Sequence, residues 1–93
     1  MNVRGAVLRQ MGLPAPYAQS RPLSIETLSL DPPGSGELCV RVLAAGLCHS
    51  DLSVIDGSRP RPLPMVLGHE ATGEVVDVGA GVRDFSIGDR VVF

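Results

Sequence analysis

The chain is short of the side chains on which several function classes depend. It has three aromatic residues, Tyr17, Phe85 and Phe93, and its eight basic side chains are outnumbered by ten acidic ones and scattered along the sequence. Nucleic acid is therefore excluded as a partner, because neither a phosphate-neutralising patch nor a stacking platform is available. Long apolar runs are missing too. No stretch reaches the length needed to cross a bilayer, and the Gly5–Leu8 segment between Arg4 and Arg9 is too short for the core of a secretory signal. Cysteine is limited to Cys39 and Cys48, which cannot supply the disulfide framework of a small secreted domain. Both are read as reduced thiols of a cytoplasmic protein. The 93 residues are read as one small domain, 1–93, with a modest core and no room for a second.

What the sequence does have is valine, leucine, glycine and proline. Turn residues cut it into short pieces whose apolar spacing suits strands. Strands are expected near Val3–Arg9, Leu23–Leu30, Glu37–Ala45, Glu70–Val78 and Arg90–Phe93. Within Glu37–Leu43, Leu38, Val40 and Val42 fall on one face and Glu37, Cys39, Arg41 and Leu43 on the other, which predicts a half-buried strand. "DPPGSG" at 31–36 reads as a turn that ends one strand and starts the next. "VGAGVRDFSIGDRV" at 78–91 reads as hairpin connections, with a reversal at Gly79–Gly81 and a second turn at Gly88 and Asp89. The helical stretch is His49–Asp56, with Leu52 and Ile55 facing inward and Gly57 stopping it. "SRPRPLPMVL" at 58–67 reads as a stiff surface connector, because its three alternating prolines remove amide donors and hold the backbone extended. The fold class is all-β with one short helix.

Two short segments concentrate the reactive side chains. "LCHSD" at 47–51 carries a thiol, an imidazole, a hydroxyl and a carboxylate, and "VLGHE" at 66–70 carries a histidine between a glycine and a glutamate. Cys48 and His69 are twenty-one positions apart, too far for the close ligand pairs of a zinc finger, so only the fold can bring them together. One reading is a packed thiol and a hydrogen-bonded histidine. The other is a shared metal: Gly68 lets the backbone turn tightly or lets something approach, and Glu70 offers a further oxygen. In that reading Asp51 takes the outer ring proton of His69, as carboxylates do for zinc-bound imidazoles, and Ser50 places a hydroxyl beside the ion. Cys39 reads as a half-exposed structural thiol, and Tyr17 and Phe85 as packing residues.

"GLCHSD" at 46–51, "GHEATGEVVDVGAGV" at 68–82 and "GDRV" at 88–91 resemble the N-terminal catalytic domain of zinc-dependent medium-chain alcohol dehydrogenases. The resemblance runs from about Val3 to Phe93, and the second block matches the family signature at Gly68, His69, Glu70, Gly73, Gly79 and Val82. It implies a GroES-like, partly open barrel. It also implies that Cys48 and His69 are ligands of a catalytic zinc, that Ser50 passes the alcohol proton outward, that Asp51 orients His69, that Glu70 lies just behind the metal, and that His49 faces the cofactor pyrophosphate. Zinc would act as a Lewis acid on the alcohol oxygen, and hydride would pass to NAD or NADP.

Two positions depart from the family pattern. Ser53 stands where some members carry a histidine that completes the proton relay, and His49 stands where arginine is common, supplying charge only when protonated. The third zinc ligand and the dinucleotide-binding domain are expected beyond Phe93. "GAGVRD" at 79–84 is no substitute, since Asp84 occupies the place of the third glycine of a phosphate loop. The resemblance thus implies a fragment truncated before the Rossmann domain, inactive alone, from an enzyme that takes a small alcohol or aldehyde and forms homo-oligomers when complete. An alternative is an assembly protein like the co-chaperonin of the same fold, which would leave Cys48 and His69 without a purpose. A zinc-free quinone reductase relative would lack that pair altogether.

Overall fold

The computed structural model describes the whole chain, Met1–Phe93, as β1 (Asn2–Leu8), α1 (Tyr17–Ser20), β2 (Leu23–Ser29), β3 (Leu38–Ala45), α2 (His49–Ile55), β4 (Met65–Val66), β5 (Ala71–Val78) and β6 (Arg90–Val92). The strands make two three-stranded sheets, ordered β2-β1-β4 and β3-β5-β6. The chain divides correspondingly into two units, one of Asn2–Leu28 with Leu47–Gly68, the other of Met1, Ser29–Gly46 and His69–Phe93. No helix is long and apolar enough to cross a membrane.

The first unit carries α2 and an apolar core. β1 and β4 run antiparallel with Val7 opposite Val66 and Leu8 opposite Met65, and the Leu67 amide donates to the Ala6 carbonyl at 2.9 Å. Leu8, Val54 and Ile55 are buried together, with Tyr17, Leu23, Leu63, Met65 and Leu67 packed against them. The helix ends where Gly57 takes a φ of +86°, a left-handed conformation that favours glycine. Its last turn is tied down by the Gly12 amide, which donates to the Ile55 carbonyl at 2.8 Å. At the end of β1, Arg9 makes an ion pair with Glu26 at 2.5 Å. The Arg9 hydrogen bonds, and next the Ser24 hydroxyl, hold the Glu26 carboxyl down to about 2.

The second unit is held by its ladder. β3 pairs antiparallel with β5 from Leu38 opposite Val78 to Ala45 opposite Ala71, and β5 with β6 from Thr72 opposite Val92 to Glu74 opposite Arg90. The 31–36 turn meets the β5–β6 connection: the Gly36 amide donates to the Ala80 carbonyl at 2.9 Å and the Gly79 amide to the Glu37 carbonyl at 2.8 Å. A side chain at Gly79 would run into the Gly34 carbonyl oxygen, so glycine is required there by close approach. The second turn forms as expected, closed by the Asp89 amide donating to the Ser86 carbonyl at 3.1 Å, and the Gly88 amide ties it to the Val75 carbonyl of β5 at 2.8 Å.

Several features differ from the sequence reading. The sheets are separate and neither closes on itself as a barrel. The proline-rich 58–67 stretch is more than a connector, because Met65–Val66 becomes the edge strand β4; the prolines end at 64 and leave these two residues with their amides. In α2 the inward residues are Val54 and Ile55, while Leu52 is exposed. Register shifts between Cys39 and Val40 and between Val42 and Ala44 interrupt the two-residue alternation of β3, so that Val42 is 54% exposed. A second helix, the single turn α1, joins the one expected.

Candidate metal centre

Cys48 is the residue from which α2 starts. Its extended backbone, φ −123° and ψ 148°, is that of a helix cap, and Asp51 at the third helical position completes a reciprocal capping box. The Cys48 amide donates to Asp51 Oδ2 at 3.4 Å, the Asp51 amide donates to the Cys48 carbonyl at 3.0 Å, and the Cys48 sulfur accepts from the Ser50 hydroxyl at 3.3 Å. The Ser50 hydroxyl thus sits against the sulfur, the atom through which a cysteine binds metal. The short spacing of "CHSD" is what allows this, since a first helical turn brings residues two and three positions on back toward the cap. Cys48, Ser50 and Asp51 are all partly buried.

His49 is exposed. Its Nδ1 lies 3.4 Å from the Ser53 hydroxyl, which also donates to the His49 carbonyl at 3.2 Å. Asp56, one further turn along the exposed side, has its carboxyl held below the usual range, first by the Ser58 hydroxyl and then by the Ser58 amide, with a smaller contribution from His49.

His69 and Glu70 belong to the other unit, just ahead of β5, and both are exposed. The residue before them, Gly68, has a φ of +113° and open space where a side chain would stand. The positive φ accounts for a glycine here by the turn it makes. The Glu70 carbonyl accepts from the Gly46 amide at 2.9 Å, and Ala71 exchanges two backbone hydrogen bonds with Phe93, at 2.8 and 2.9 Å.

Taken singly, Cys48 offers a sulfur, His69 a ring nitrogen and Glu70 a carboxylate oxygen as possible ligand atoms. These donor types fit zinc, which takes thiolate, imidazole and carboxylate, and the hydrogen-bonded Cys48 sulfur fits it in particular. Cys39, on β3 opposite Asp77, forms no disulfide and stands outside this set. A Cβ at Gly46 would lie 2.6 Å from Glu70 Oε1, a crowding that its sequence position does not reveal. A glycine needed as space for another residue's side chain carries no local signal.

The model of the alcohol dehydrogenase GroES-like domain family matches residues 34–93. The chain belongs to that family, and its strand-rich architecture is a GroES-like fold. It is 44% identical over 92 residues to the NDMA-dependent alcohol dehydrogenase of Amycolatopsis methanolica, covering 99% of this chain and 23% of that one. Among solved structures it resembles an alcohol dehydrogenase zinc-binding domain protein from Burkholderia ambifaria, with a TM-score of 0.84 and 43% identity over 97% of this chain and 22% of that one. It also resembles the Escherichia coli quinone oxidoreductase complexed with NADPH, with a TM-score of 0.87 and 30% identity over 98% and 26% of the two chains. The chain thus spans about a quarter of the length of these relatives.

Proposed function

We propose that this chain is the zinc- and alcohol-holding domain of an oxidoreductase that passes hydride between a small alcohol and NAD or NADP, and that it is inactive by itself. The observation that carries the reading is the hydrogen bond from the Ser50 hydroxyl to the Cys48 sulfur at 3.3 Å, in a chain whose family model is that of alcohol dehydrogenases. Cys48 and His69 are the metal ligands. When bound, zinc supplies Lewis acidity toward the alcohol oxygen, and the nicotinamide supplies the hydride acceptor.

The remaining roles belong to the chain's own side chains. Ser50 receives the alcohol proton at its hydroxyl oxygen and hands on its own. Asp51 fixes the first turn of α2, and with it the direction of the Cys48 sulfur, and its carboxylate orients the His69 ring. Glu70 stands behind the metal as a carboxylate of adjustable position. His49, held on Nδ1 by Ser53, keeps Nε2 for the cofactor phosphates. On this reading the complete protein works in the cytoplasm as a homo-oligomer.

The likeness to a quinone oxidoreductase makes the metal the discriminating quantity. In the intact protein bearing this domain, elemental analysis is expected to find zinc, with alcohol turnover in the presence of NAD or NADP. Cys48→Ala and His69→Ala are expected to lose the zinc and to lower turnover by orders of magnitude. Either variant retaining zinc and ordinary rates would sink the ligand assignment. The isolated 93-residue chain, with these two ligands, is expected to yield its zinc readily to a chelator and to turn over no alcohol.

A further inference from the structure

Gly46 ends the stretch that follows β3, two residues before Cys48. Its backbone does not need glycine, since its φ lies outside the left-handed range that Gly68 and Gly57 occupy. What it lacks is room. A Cβ built on Gly46 would lie 2.6 Å from Glu70 Oε1, 3.4 Å from Cδ and 3.5 Å from Cγ, and all three of these atoms belong to the one side chain. The first distance is well inside van der Waals contact, so something must move if residue 46 acquires a side chain.

The backbone on both sides is pinned. The Gly46 amide donates to the Glu70 carbonyl at 2.9 Å, and the residue after Glu70, Ala71, is hydrogen-bonded in both directions to Phe93 and pairs with Ala45 across the ladder. The Glu70 side chain is exposed and turns about three torsions, so its carboxylate yields at far lower cost than the ladder does. Residue 46 therefore has a selective lever on one carboxylate.

We propose that Gly46 is a positioning residue for the metal centre: the space left by its missing side chain is where the Glu70 carboxylate sits, and the size of residue 46 sets how that carboxylate is presented behind the metal. This role rests on the proposed function, in which Cys48 and His69 hold zinc and Glu70 stands behind it. Neighbours that steer a group at a metal site change metal affinity by roughly 10- to 100-fold when altered. A displacement of Glu70 by a single methyl belongs at the lower end of that range.

The test is a four-variant comparison in the intact protein bearing this domain: wild type, Gly46→Ala, Glu70→Ala, and the double variant. Two quantities are read, the rate at which zinc passes to a chromogenic chelator and the visible absorption bands after cobalt replacement. Gly46→Ala is expected to change zinc release by about 10-fold and to shift the cobalt bands. With Glu70→Ala in place the obstacle is gone, and adding Gly46→Ala should change release by less than about 2-fold. Equal effects in both backgrounds, or none in either while zinc remains bound, would overturn the proposal. Should Gly46→Ala fail to fold, the double variant must fold, and failure of both counts against it. Wild-type protein that holds no zinc overturns the proposed function together with this role, whereas bound zinc with a silent Gly46→Ala overturns this role alone.

Discussion

The two units of this domain are held together by different means. In the unit that carries α2, Val7, Leu8, Val54 and Ile55 are buried, and the helix is fixed by what its last turn packs against. In the unit that carries His69 and Glu70, Val75 is the one buried hydrophobic side chain, and order comes from a ladder that runs from Leu38 opposite Val78 to Glu74 opposite Arg90. The proposed ligands inherit this difference. Cys48 is aimed by side-chain packing transmitted through a helix, while His69 is aimed by a backbone turn at the start of a strand.

Core substitutions test the comparison most severely. Leu8→Ala removes a fully buried side chain from beside Val54 and Ile55, and is expected to cost about 2–5 kcal/mol in a urea titration followed by circular dichroism. Val75→Ala removes less volume from a unit that leans on its ladder, and roughly 2 kcal/mol is expected. Equal losses would show that packing governs both units alike. The smallest effect belongs to the Arg9–Glu26 pair. Its folded-state carboxyl, held at about 2, lies below the ordinary value of 4.5, so its stabilisation is complete above about pH 4.5 and lost as the pH falls toward 2. Glu26→Gln should flatten the stability profile across that interval alone, and by little, because the pair is solvent-exposed. A profile unchanged by the substitution would show that the pair is silent.

Much of the architecture is legible in the residues. Proline and glycine punctuation locates five of the six strands to within a residue or two, and Gly57 marks the end of α2. Two elements escape for a physical reason. A single turn such as Tyr17–Ser20 is too short to show periodicity, and a two-residue strand such as Met65–Val66 is defined by its partner β1 and not by its own pattern. Burial along β3 is hidden because a register shift is a property of two strands, not one. At the site, residue types and spacing single out Cys48, Ser50, Asp51, His69 and Glu70. The Ser50 hydrogen bond on the Cys48 sulfur and the space at Gly46 emerge only from three-dimensional contact.

Gly68 and Gly46 would part company in a saturation library. At 68 every side chain is strained by a φ of +113° although nothing stands in its way, so selection for fitness should return glycine whatever the rest of the sequence does. At 46 a side chain displaces the flexible Glu70 carboxylate, so under the proposed role its penalty should vanish alongside a shorter residue 70. One glycine is expected to be needed in every background, the other only in the company of Glu70.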